Sequence, residues 1–273
     1  MLYLNMLLNQ FAFRIFGFLA HRDFGKKFLR KYNIKASKEQ ESQYRSLGLD
    51  RSLGLMKLNT VLYELYGRTY SETNGMWSEH LILFSAISES NYKIKTILEI
   101  GTFNGETTRI LSLLFHNSSI ETLDLPFNEI KNDHLYKYVT KNKELIRKRD
   151  QNLISLANVK FIEMNSLELI RNQEKYDLIW VDGDHSNPVV SIDIANAIRL
   201  LKPKGLSICD DVYLATSNLG KYGRSSAAFE TLDKYAKAKV IKFTLLRKRI
   251  GFFYNSPKKF VKYLAIVSEP NNH

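Results

Sequence analysis

The stretch Ile97–Thr108, ILEIGTFNGETT, decides the reading of the fold. A β-branched and aliphatic run passes through Gly101 and Gly105 into a threonine-rich helix start. Strand, glycine turn and helix, in that order, are how a doubly wound α/β fold presents backbone N–H groups to a nucleotide-like ligand. Glu99 is expected inside the turn. A dinucleotide site keeps negative charge away from its pyrophosphate, so an acid here favours a ligand with a cationic end and no phosphate. A glycine turn alone is equally an ordinary βα connection, so the weight falls on the strand ends further along the chain.

Downstream, short apolar runs end in polar residues. Ile120–Leu123 ends in Asp124, which lies 19 residues after Gly105. That is close to the offset of about 20 residues at which such folds place a ribose-binding carboxylate. Val159–Ile162 ends in Glu163-Met164-Asn165-Ser166. Tyr176–Val181 ends in Asp182-Gly183-Asp184-His185-Ser186, and a helix is expected from Pro188, capped by Ser186 or Asn187. Leu206–Cys209 comes after a Lys202-Pro203-Lys204-Gly205 stop and ends in Asp210-Asp211. Acids at the carboxyl ends of successive parallel strands converge on one crevice. A helix over about Ser225–Lys237 and a hairpin-like pair, Val240–Leu246 and Ile250–Tyr254, complete the expected sheet.

From about Gly75 to Tyr254 this pattern resembles the class I S-adenosylmethionine (SAM) methyltransferases, whose first motif is E-x-G-x-x-x-G. The resemblance implies a Rossmann-like, mostly parallel seven-stranded sheet with an antiparallel last strand. It also implies a cofactor site made of Glu99, Gly101, Thr102, Asn104, Gly105, Asp124, Asn165, Ser166 and Asp182. Asn165 and Ser166 match the family's turn after strand three, and Met164 departs from its usual glycine. The DGDH segment is similar to that of metal-dependent O-methyltransferases acting on sugars and macrolides. In that branch Asp182, Asp210 and Asp211 would hold Mg²⁺ and His185 would serve as base. The chemistry explains the residue types: a hard cation bound by carboxylates lowers a hydroxyl's pKa, and a neutral imidazole takes its proton.

Each of these residues has a plainer reading. Asp210-Asp211 could be solvated loop acids, Asp184 a competing ligand or an orienting neighbour, and His185 a structural loop histidine. Of the six histidines only His185 is expected at a strand end beside acids; His80 could reach a ligand or simply pack in a helix. The expected activity is methylation of a hydroxyl on a small molecule such as a sugar or glycosylated metabolite. The alternatives are an RNA methyltransferase and a non-catalytic SAM-binding or assembly protein.

Charge is unevenly placed. Residues 1–70 carry 12 basic and 5 acidic side chains, residues 71–219 carry 16 and 20, and residues 220–273 carry 12 and 3. The core is thus mildly acidic, as a cation-binding pocket should be, between basic flanks. Basic flanks can meet nucleic acid or an anionic membrane. No RNA-binding module is recognisable, so nucleic acid is not the expected partner, and the C-terminal charge reads as a solvated surface. The lone Cys209 excludes an internal disulfide, suits a reducing cytoplasm and reads as strand packing.

Residues 1–70 read as a helical extension and 71–273 as the SAM-binding domain. Leu4, Leu7, Leu8, Phe11, Ile15, Phe18 and Leu19 form an apolar helical stripe without the features of a signal peptide. Burial in a homo-oligomer or under the core is expected for it, with peripheral membrane contact as the minority reading. The 34-residue stretch Leu125–Asn158 is long for one connection and should hold a charged helix. Tyr213, Tyr222 and Arg224 in the loop after strand five are the candidates for choosing substrate.

Overall fold

A computed structural model describes residues 23–126, 143–214, 226–250 and 262–270. The expected apolar helix at the N-terminus, Tyr222, Arg224 and residues 251–254 lie outside that set. Among the described residues no helix is long and apolar enough to cross a membrane.

Three helices come first: α1 (Asp23–Ser46), α2 (Arg51–Tyr66) and α3 (Glu79–Ser88). The alternating part runs β1 (Thr96–Ile100), α4 (Glu106–Leu114), β2 (Ser119–Asp124), α5 (Lys143–Leu153), β3 (Val159–Glu163), a 3₁₀ turn (Ser166–Arg171), β4 (Tyr176–Val181), α6 (Val189–Leu200) and β5 (Leu201–Val212). It closes with α7 (Ala227–Lys237), β6 (Lys242–Arg247) and β7 (Tyr263–Ser268). The sheet order is β3-β2-β1-β4-β5-β7-β6. The first five strands are parallel, and β7 is antiparallel to both β5 and β6. This is the expected sheet, with its topological switch between β1 and β4.

The central strands are apolar on both faces because helices cover both. Period-two alternation sorts them into two cores. Ile97, Leu178, Trp180, Ile208 and Ile266 face α2, α3 and α4, while Leu98, Ile179, Val181, Cys209 and Val267 face α6 and α7. Leu58, Val61 and Leu62 of the extension belong to the first core, so α2 shares its packing with the sheet. Asp50 caps α2 through the Leu53 N–H, and Gly67 ends it in the left-handed region.

Three details depart from expectation. The partner of β6 is Tyr263–Ser268, and Ile250 lies outside any strand. The Lys202–Gly205 stretch does not stop the chain before strand five; it forms an irregularity within β5, whose pairing with β4 shifts there. Neither Ser186 nor Asn187 caps α6 through its side chain; the N-cap position is Pro188. Ser186 is occupied elsewhere, giving its N–H and hydroxyl to the Asp184 carboxylate at 2.7 and 2.8 Å.

Candidate active site

The carboxyl ends of β1, β2, β4 and β5 meet as the fold requires, and Gly101 makes this meeting possible. It sits at φ 102°, and a Cβ there would lie 2.3 Å from the carbonyl oxygen of Asp182. No side chain fits between the first turn and the end of β4. Glu99 lies one residue before the end of β1 rather than inside the turn, and it is fully buried. One carboxylate oxygen accepts the hydroxyls of Thr108 at 2.5 Å and Thr122 at 2.7 Å. The other, Oε1, has no partner among the described residues. Burial pushes Glu99 up to about 7, against those hydroxyls and with help from the Asp124 charge.

The turn does not offer its N–H groups to a ligand in the way its sequence suggests. Gly101 and Thr102 both donate to the Leu123 carbonyl, Gly105 donates to Thr102, and Glu106 donates to the Asn104 side chain. The Thr102 hydroxyl is buried against Thr122 at 2.6 Å. The Asp124 carboxylate accepts the N–H groups of Phe103 at 2.7 Å and Leu125 at 2.8 Å, tying the turn to β2. Asn165 caps the 3₁₀ turn by accepting from Leu167, with Ser166 beside it on that turn.

At the other side of the cleft, β5 pairs with β7 through a register shift between Cys209 and Val212, and Asp211 adopts φ 51°. In a regular strand neighbouring side chains point to opposite faces. The bulge turns both Asp210 and Asp211 toward one group. That group is the ammonium of Lys248, which bonds Asp210 and lies 2.7 Å from Asp211 Oδ1. Lys262 bonds the second oxygen of Asp211. Asp210 and Asp211 are thus the last residues but two and one of the strand itself, not a loop after it.

Lys248 is invisible to motif reasoning. It lies in a Lys-Arg run of the basic C-terminal segment, and nothing in its spacing sets it apart from solvated neighbours. The hairpin register supplies the signal: Arg247 pairs with Tyr263, so Lys248 and Lys262 come off the same hairpin end. Their backbones bond each other at 2.9 Å, and the Lys248 carbonyl accepts the Glu79 N–H at 3.0 Å.

His185 stands half exposed, with Nε2 3.5 Å from Asp182 Oδ1 and 3.9 Å from Asp211 Oδ2. Burial and the neighbouring Asp210 charge raise Asp182 well above the usual carboxylate range. Burial raises Asp210 too, but the Lys248 ammonium overrides it and holds Asp210 well below that range. Donor atoms of Asp182, His185 and Asp210 lie within 4.8 Å of one another, a spacing that could hold a metal ion. Asp184 is not among them. His80 is a packing residue: it stacks on Trp180 at 5.3 Å, its Nδ1 shares a hydrogen bond with Ser78 at 2.7 Å, and burial lowers it to about 3. Tyr213 is buried beneath Lys262, so among the described residues it does not line an open surface.

Residues 98–212 match a family model described as a methyltransferase domain. No curated protein matches the chain. Among solved structures, cofactor-bound Rv0187 from MTB shares 20% identity, covering 93% of this chain and 96% of its own, with a TM-score of 0.50. A protein assigned as a caffeoyl-CoA O-methyltransferase from Staphylococcus aureus shares 19%, covering 77% and 91%, also at 0.50. An O-methyltransferase from Bacillus cereus, in complex with SAH, shares 19%, covering 78% and 91%, at 0.49. Residues 98–212 are thus similar to a methyltransferase domain, and the sheet has the fold of these solved methyltransferase structures.

Proposed function

We propose that the chain transfers a methyl group from SAM to a hydroxyl of a small molecule such as a sugar or glycosylated metabolite. The observation that carries this reading is the placement of His185 between Asp182 and Asp211, at the same end of the sheet as a buried acid with an unpartnered oxygen. Glu99 Oε1 fits the cationic amino end of SAM. Asp124 stands at the end of β2, where the ribose hydroxyls would lie, and a carboxylate offers about four acceptor sites. Asn165 and Ser166 stand on the turn where the adenine would lie.

SAM supplies the methyl: its C–S bond breaks as the acceptor's O–C bond forms, and the sulfonium becomes a thioether. The protein's part is to orient the acceptor oxygen and to take its proton. The Asp211 carboxylate on the Nε2 side favours the tautomer with the proton there, which leaves Nδ1 of His185 to accept the acceptor's proton. The resulting imidazolium lies beside the Asp211 charge.

The expected Mg²⁺ centre uses Asp182, Asp210 and Asp211. Asp211 has both oxygens on lysine ammonium groups, and Asp210 shares Lys248. An ion on Asp182, His185 and Asp210 would sit beside that ammonium. At about 4 Å and an effective dielectric of about 20, a divalent and a univalent cation repel by on the order of 8 kcal/mol. The residues as arranged do not fit a centre of three free carboxylates.

Calorimetry with S-adenosylhomocysteine tests the cofactor half of the reading. Binding in the micromolar range, about −8 kcal/mol, is expected. Binding of NAD or ATP in its place, with none of the SAM product, would overturn it. Once an acceptor is found, His185→Ala should lower turnover by roughly 10²–10⁴ while leaving product affinity unchanged.

A further inference from the structure

We propose that the Lys248 ammonium takes the place of a divalent cation in this centre, with Lys262 completing the charge balance. This rests on the methyl-transfer reading for its chemistry, although the structural claim stands apart from it. The carboxyl groups of Asp182 and Asp210 converge, Asp211 stands beside them, and two ammonium groups reach Asp210 and Asp211. The Lys248 side chain is 12% exposed, Asp210 4% and Asp211 13%, so these are paired charges withdrawn from water. Such pairs persist only when the geometry is good and the partners are held. Here they are held: the Lys248 carbonyl is tied to α3 through Glu79, its N–H to Lys262, and the two aspartates sit on a bulge that aims them together.

An ammonium has three N–H donors. Two of those on Lys248 are spent on Asp210 and Asp211, and the third has no hydrogen bond among the described residues. It can donate to the acceptor oxygen beside His185. The hydroxyl proton passes to His185 Nδ1, the oxygen forms its bond to the methyl carbon, and the carbon–sulfur pair of electrons stays on sulfur. A fixed positive charge steadies the oxygen in the way a bound cation otherwise would. No oxidant or further reactant is needed.

Mn²⁺ titration of the full-length protein, monitored by electron paramagnetic resonance, reads the claim without any acceptor. Wild type should bind no stoichiometric Mn²⁺ at millimolar concentration. Lys248→Met removes the charge and should gain one site per chain, about tenfold or more tighter than any wild-type binding, and this site should disappear again in Lys248→Met/Asp210→Asn. One Mn²⁺ per wild-type chain, displaced by Mg²⁺ and lost in Asp182→Asn, would overturn the proposal. So would a folded Lys248→Met that gains no site. Where Lys248→Met does not fold, the wild-type titration decides alone. Product binding is measured in parallel: its absence would sink the methyl-transfer reading and leave the metal result standing.

Discussion

At the scale of single residues, Glu99 holds the clearest titration. Burial raises it to about 7, above its unfolded range near 4.5. The folded protein therefore binds an extra proton between those values, and ligand-free stability falls as pH rises through that window. A cationic ligand end reverses the preference, because it pairs with the ionised form. Product binding at pH 6 should thus release close to one proton, so its calorimetric heat should differ between phosphate and imidazole buffers. Affinity should weaken by up to about tenfold per unit below pH 7. Equal heats in both buffers would exclude Glu99 as the partner of the amino end; Glu99→Gln should abolish the release. Asp193, buried in α6, is raised to about 6 by burial, so it destabilises the fold as pH rises from about 4 to 6. Asp193→Asn should raise the melting temperature at pH 7.5 and change it little at pH 4. Glu99 and Gly101 were legible in the sequence because one spacing rule sets both. The chemistry of Glu99 was not, since the hydroxyls that hold it come from α4 and β2.

At the scale of elements, the site depends on how β5 and the β6–β7 hairpin end. Apolar runs bounded by glycine and acids made β1, β2, β3 and β4 readable to within a residue, because buried parallel strands leave a continuous signature. The antiparallel end was read less well. β7 lies beyond a segment that separates it from β6, and Ile250–Tyr254 offered an equally β-branched and aromatic alternative. The bulge at Asp210–Asp211 leaves no mark in composition, yet it decides what those carboxylates face. The anchor of the hairpin is α3. Glu79 is fully buried, accepts Tyr44 at 2.9 Å and Arg51 at 2.6 and 3.0 Å, and gives its N–H to Lys248. Removing the guanidinium strands a buried carboxylate, which costs about 3–5 kcal/mol. Arg51→Ala should therefore lower the unfolding midpoint strongly, while Arg51→Lys, which keeps the charge, should lower it less. A midpoint unchanged in Arg51→Ala would mean that the extension does not brace the hairpin.

At the scale of the whole molecule, the +12 charge is less available to partners than its sum suggests. Residues 220–273 carry a surplus of nine positive charges, and residues 71–219 a deficit of four. Lys248 and Lys262 spend theirs on the aspartates of the core, Lys237 pairs with Asp233, and Arg247 approaches Glu39. The sequence shows the two blocks, but only the fold shows that one neutralises the other. Among the described residues Lys234 and Lys239 belong to none of these ion pairs. Binding to RNA should then be a diffuse, counterion-driven attraction. Its affinity should drop steeply between low and physiological salt, with the same slope for unrelated sequences. Filter binding of two unrelated RNAs across a salt series measures this directly. Tight binding of one RNA over the other near physiological salt would show a surface that reads bases as well as charge. It would also move the acceptor hydroxyl from a small molecule to a ribose, while leaving the roles of His185 and Lys248 as drawn.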